Sequence, residues 1–128
     1  MPPSRIFEHI FLGDYQDATR FTGRRLCVLE QRPEYPPRLG DRWIPILEES
    51  RWGRTRANRD KLDEAAAWVA DRIAAKDRAL VHCMGGIERS PLVMAWYLHR
   101  RHGLTLDGAY AQLRWIRPEV QLRHEMWL

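Results

Sequence analysis

A chain of 128 residues is long enough for one domain with a buried core and short for two. Its 45% apolar content argues against disorder, and 21 Lys+Arg against 17 Asp+Glu leave a formal charge of +4, which suits an anionic ligand as well as an ordinary solvated surface. No apolar run approaches the ~20 residues of a membrane-spanning helix, two cysteines make no disulfide framework, and Met1-Pro2-Pro3-Ser4 opens no signal-peptide pattern. A cytoplasmic protein without membrane attachment is therefore expected, and a reactive thiol would agree with a reducing compartment.

The chain then divides as follows. Residues 6–12 read as a strand that stops at Gly13, and Asp14 is placed to cap a short helix ending near Phe21. Residues 25–29 form a second strand, and 31–41, with Pro33, Pro36, Pro37 and Gly40, a loop. Residues 42–46 read as a short strand whose Pro45 restricts it to a sheet edge or marks its end. Residues 48–58 are polar and basic and read as a surface loop. Its arginines, Arg51, Arg54 and Arg56, with Arg59 and Lys61 just beyond, form either a solvated face or a patch that steers a phosphorylated partner. No stacking platform of aromatic residues accompanies them, which argues against nucleic acid as a partner.

Asn58 then caps a helix over 59–75, where Leu62, Ala65, Ala66, Val69, Ala70 and Ile73 recur at helical spacing. The strand 79–81 follows, then a loop, then a helix over 90–101 with Pro91 in its first turn and Gly103 beyond its end. Residues 105–115 form another helix, broken near Pro118, and an amphipathic piece, 119–128, closes the chain. His99 and His102 are expected to be solvated, Trp68, Trp96 and Trp115 to pack helices on a sheet, and Cys27 to be a core residue. The alternation predicts an α/β fold: a single compact domain over 1–128, with a central, mostly parallel sheet flanked by helices.

The chemistry concentrates in His82-Cys83-Met84-Gly85-Gly86-Ile87-Glu88-Arg89-Ser90, between the strand and its helix. A helix N-terminus carries unpaired N–H groups and partial positive charge, so a loop wrapped over it is an anion site and stabilises a thiolate. Cys83 supplies a nucleophile and Arg89 a planar fork of donors for two phosphoryl oxygens. Residues Met84, Gly85, Gly86, Ile87 and Glu88 between them offer backbone N–H groups, with Gly86 where the chain must turn inward. Ser90 is placed to donate to the sulfur. His82 is read as fixing the loop's geometry and favouring the thiolate.

This stretch resembles the signature loop of the cysteine-dependent protein phosphatases, His-Cys-x-x-Gly-x-x-Arg-Ser. Leu12-Gly13 with Ala18, Pro45-Ile46 before an acidic residue, Tyr97-Leu98, Gly103, Ala109-Tyr110 and Arg117-Pro118 extend the likeness to the dual-specificity phosphatases, of which this would be a small atypical member. The resemblance implies that Cys83 is the nucleophile, that Arg89 and the loop bind phosphate, and that a carboxyl group protonates the leaving oxygen. That group is normally aspartate, and Glu48 stands here instead, with Glu49, Asp60 and Asp41 as alternatives. It implies no metal and no cofactor, a phosphorylated protein or peptide as substrate, and a monomer. The expected reaction removes phosphate from phosphotyrosine and phosphoserine/threonine through a cysteinyl-phosphate. Rival readings are a phosphatase acting on a phosphoinositide, nucleotide, RNA 5′-phosphate or sugar phosphate, and a phosphate-binding module with little turnover. An arsenate-reductase-like use of Cys83 would need a resolving cysteine, for which only Cys27 is available.

Overall fold

Ten consecutive residues, Ser90 to His99, carry nine that are buried, so the helix that holds them is enclosed on all sides rather than lying on a surface. The computed structural model, which describes residues 2–128, places that helix at the centre of an α/β domain. The elements run β1 (Ser4–Arg5), β2 (Ile10–Gly13), α1 (Tyr15–Arg20), β3 (Arg24–Cys27), β4 (Arg42–Trp43), β5 (Leu47–Glu49), β6 (Thr55–Ala57), α2 (Arg59–Ala75), β7 (Ala79–His82), α3 (Arg89–His102), α4 (Leu106–Ile116) and α5 (His124–Trp127).

The main sheet has the order β1-β2-β7-β3-β4, with β2, β7, β3 and β4 parallel and β1 antiparallel to β2. β7 is the middle strand and is buried along its whole length. Its side chains alternate between two cores, as a strand's must. Ala79 and Val81 face Ile10, Leu12 and Leu26 together with α2, α3 and α4, whereas Leu80 faces Ala18 and Phe21 around α1. Trp96 Nε1 donates to Asp63 Oδ1 at 2.8 Å and ties α3 to α2. Among the described residues, no helix is long and apolar enough to cross a membrane.

Capping fixes several of these boundaries. Asp14 N donates to Asp17 Oδ2 at 2.9 Å while Asp17 N donates to Asp14 Oδ1 at 2.7 Å, a reciprocal box that starts α1 directly after β2. Asn58 Oδ1 accepts from Lys61 N at 3.0 Å and starts α2. Gly103, at φ 71°, ends α3.

Five expectations are corrected. The strand expected over 6–12 is confined to Ile10–Gly13, because Ile6 N and Phe7 N fold back onto Ile10 O in a turn. The loop expected over 48–58 is an antiparallel hairpin of β5 and β6 in which Glu48 is paired with Arg56, so opposite charges face each other across the ladder. The closing piece is mostly irregular and contains only the single turn α5. Trp115 is exposed, since the buried stripe of α4 is Ala109, Tyr110 and Leu113. His99, expected in solvent, is half-buried and its Nδ1–H donates to Leu104 O at 2.7 Å.

The two ends of the chain meet beneath the loop that follows β7. Arg117 is almost fully buried; its Nε donates to Gly86 O at 2.9 Å, and its Nη1 donates to Ser4 Oγ at 3.0 Å and Pro2 O at 3.2 Å. Replacing it removes the donor for several buried oxygens at once. Arg117→Met is therefore expected to lower the unfolding free energy by about 2 kcal/mol, read from urea denaturation midpoints at constant m.

Candidate phosphate-binding site

In an open parallel sheet, ligands bind beyond the carboxyl ends of the strands. Here the loop 83–88 leaves the carboxyl end of the central strand, β7, and lies between the ends of β2 and β3. Three of its carbonyl groups are taken up by the surroundings. Met84 O accepts from Tyr15 N at 3.0 Å, Gly86 O from Arg117 Nε, and Ile87 O from Gln121 N at 2.8 Å. Among the described residues, none of the amide N–H groups of 84–88 donates to a protein acceptor. A loop with its oxygens turned outward and its amides unpaired, leading into the N-terminus of α3, is a concave set of donors suited to an oxyanion.

Gly86 makes this turn possible. Its φ is 69°, and a Cβ there would lie 2.7 Å from the carbonyl carbon and oxygen of Gly13 and from Arg117 Nη2. Gly85 meets no such crowding: a Cβ there would be 3.7 Å from Ile87.

Cys83 opens the loop and is buried, and its Sγ is 3.2 Å from Ser90 Oγ in the first turn of α3. Arg89 begins α3, and its Nε donates to Glu30 Oε1 at 2.8 Å. Met84 and Gly85 are exposed at the rim. Glu88 is engaged sideways, its Oε2 accepting from Arg123 Nε at 3.2 Å, and Arg123 also donates to Gln121 Oε1. Cys27 lies on β3 opposite His82 and is fully buried; burial pushes its thiol up to about 11, as fits the core residue expected.

His82 is part of a buried polar chain that spacing did not reveal. Its Nδ1 is 3.1 Å from Cys83 O and its Nε2 is 2.9 Å from the Tyr35 hydroxyl. A carbonyl only accepts, so Nδ1 carries the proton and Nε2 accepts from Tyr35. Burial pushes the Tyr35 phenol well up, which keeps it protonated to donate. Burial also lowers His82 to about 4, against the opposing pull of its bond to Cys83 O. The imidazole is thus neutral at pH 7 and orients the Cys83 peptide rather than supplying charge. Behind it, the Arg25 guanidinium lies 3.7 Å from the Tyr35 ring centroid and donates to Asp41 at 3.1 and 2.7 Å.

The four candidate acids separate. Asp41 is nearly buried against Arg25, and although burial alone would raise its carboxyl, bonds from Arg25 and Arg38 N hold it below the usual range. Such a carboxylate is a poor proton donor at neutral pH. Glu48 and Glu49 are adjacent on β5, so they point to opposite faces of the hairpin. Glu48 Oε2 accepts from Asn58 Nδ2 at 3.1 Å and lines an open cleft of about 460 Å³ with Arg56, Arg59, Asp60 and Trp127; no residue of 83–89 lines it. Asp60 belongs to that cleft too.

The model of the family described as "Dual specificity phosphatase, catalytic domain" matches residues 37–128. The chain belongs to this family. Human dual specificity protein phosphatase 8 is 24% identical over 127 residues, covering 91% of this chain and 20% of that protein. Protein-tyrosine-phosphatase IBR5 of Arabidopsis thaliana is 33% identical over 67 residues, 52% of this chain and 26% of the relative. The chain thus spans about a fifth to a quarter of the length of these curated relatives. Among solved structures, DUSP15 superposes with a TM-score of 0.75 at 16% identity, covering 93% of this chain and 78% of that one. Human DUSP28 gives 0.67 at 22%, covering 94% and 84%. These similarities establish a dual-specificity phosphatase fold.

Within that fold, the members of the His82 chain absent from the signature are Tyr35, Arg25 and Asp41, joined across long stretches of sequence. The 28–41 loop that brings Tyr35 in carries only proline and glycine signals, which announce a loop and not its path. The unfolded imidazole protonates as pH falls through about 6.5, the folded one only near 4, so acid favours the unfolded chain across that window. Stability is expected to fall by about 3 kcal/mol more in the wild type than in His82→Gln between those limits, measured by denaturant titration at a series of pH values.

Proposed function

We propose that this chain is a phosphomonoester hydrolase that dephosphorylates phosphotyrosine and phosphoserine/threonine in proteins through a cysteinyl-phosphate intermediate, with residues 1–128 as its catalytic domain. The observation that carries this reading is the loop with its carbonyl groups tied outward and its amides free, with Cys83 at one end and Arg89 at the other. Membership of the dual-specificity phosphatase family supports it.

In this reading the phosphoryl oxygens sit against the amides of 84–88 and the Arg89 guanidinium, which offset the charge of the transition state. The Cys83 thiolate attacks phosphorus in line, so that an S–P bond forms as the P–O bond to the substrate breaks. A carboxyl group gives its proton to the departing oxygen. Water then attacks the thiophosphate, the same carboxylate takes its proton, and inorganic phosphate leaves with the S–P electrons returning to sulfur. The Ser90 hydroxyl, 3.2 Å from Sγ, donates to the sulfur whenever it carries charge.

Glu48 is the first candidate for the acid and Glu49 the second. Glu48 accepts from Asn58 Nδ2 and lines a cleft that no residue of 83–89 lines, so this role requires its carboxyl to leave Asn58 and turn toward the phosphate loop. The same observation favours, as the second reading, a phosphate-recognition module with little turnover. Protein substrates are preferred over phosphoinositides because no lysine or arginine lies between Cys83 and Arg89, and Glu88 is already paired with Arg123.

Hydrolysis of para-nitrophenyl phosphate across roughly pH 5–8 separates the two. Wild type is expected to turn over and Cys83→Ser to be inactive. Glu48→Gln is expected to lower kcat by about 100-fold and to lose the basic limb of the profile, with Glu49→Gln unchanged. Wild type that is as inactive as Cys83→Ser, yet binds tungstate, establishes the recognition module instead.

A further inference from the structure

Glu30 is not part of the signature, yet it is the only protein group that the Arg89 side chain contacts by a hydrogen bond among the described residues. It stands three residues beyond the end of β3. The chain is fixed there: Val28 N donates to His82 O at 3.1 Å, and Trp43 Nε1 donates to Leu29 O at 2.9 Å. Glu30 is thus carried by the same strand pair, β3 and β7, from which the phosphate loop emerges.

The contact is made at one particular donor. Glu30 Oε1 accepts from Nε, which leaves both terminal nitrogens of Arg89 without a protein partner. The other carboxylate beside the loop, Glu88, is committed to Arg123. Arg89 is 28% exposed along its side chain and Glu30 43%, so the pair sits at the rim, partly shielded from water. A free arginine side chain carries rotamer entropy that ordering it on a ligand removes. Holding Nε in advance removes most of that cost before the ligand arrives.

We propose that Glu30 is the positioning residue for Arg89: it grips Nε so that the terminal edge of the guanidinium is presented to the phosphoryl group held by the loop. The proposal rests on the phosphatase reading for its consequences in turnover, but not for its consequences in oxyanion binding. It also explains why an acidic residue is tolerated beside an anion site. Its charge is spent on the side edge of the guanidinium, away from the pair of donors that meet the ligand.

The experiment measures tungstate dissociation constants by calorimetry and para-nitrophenyl phosphate kinetics for wild type, Glu30→Ala and Glu30→Gln. Alkylation of Cys83 by iodoacetamide, a neutral reagent that needs no arginine, reports on the loop itself. Glu30→Ala is expected to weaken tungstate binding and lower kcat/KM by about tenfold each, with the alkylation rate unchanged. Glu30→Gln, whose amide oxygen still accepts from Nε, is expected to recover most of both. Unchanged binding in Glu30→Ala overturns the proposal. Tighter binding overturns it too, and makes Glu30 a competitor for the arginine. A parallel loss of alkylation would assign the effect to general damage to the loop and equally reject it. If wild type has no turnover but Glu30→Ala still weakens tungstate tenfold, the positioning role stands and the hydrolase reading falls.

Discussion

The outward anchoring of three carbonyl groups is the constraint on which the site depends. Met84 O, Gly86 O and Ile87 O carry partial negative charge that, turned inward, would cancel the positive field of the free amides. Tyr15 N, Arg117 Nε and Gln121 N draw them away, and each comes from a different part of the fold: the start of α1, the end of α4 and the segment before α5. The loop's shape is therefore a property of the whole domain. Its local sequence contributes the glycine that allows the turn, while distant residues supply the donors that enforce it.

A second layer of organisation lies behind the cysteine. Asp41, Arg25, Tyr35 and His82 form a continuous chain of buried polar contacts that ends at the carbonyl of Cys83. Each member is satisfied by the next, so the chain can be buried without a large penalty and locks one tautomer of the imidazole. The neutral histidine then acts by orientation. The positive charge and free donors around the loop come instead from Arg89, the amides and the N-terminus of α3.

Much of the fold was legible because its signals are local. The apolar run before His82, the glycines after it, and the caps Asp14 and Asn58 each mark a boundary through the chemistry of one or two residues. The hairpin of β5 and β6 was not legible, since Glu-Glu-Ser-Arg-Trp-Gly-Arg-Thr-Arg shows no apolar alternation; its pairing rests on the ladder and on opposite charges across it. At the site, the grouping of Cys83, Arg89 and Ser90 could be read from spacing because they share one loop and one helix start. Tyr35 and Glu30 could not, as each meets its partner 47 and 59 positions away. Asp41 looked like a free carboxylate in sequence only because Arg25, sixteen positions earlier, is out of view of any local pattern.

The long reach of Arg117 has a consequence for the order in which the protein becomes competent. Its partners Pro2 and Ser4 lie 115 and 113 positions earlier, and Gly86 lies 31 positions earlier. During synthesis Cys83 and every loop amide leave the ribosome well before the guanidinium that shapes them. A chain stopped short of residue 117 would hold the signature in full and still lack the cradle. The loop thus takes its final shape late, when these distant parts of the domain close on each other.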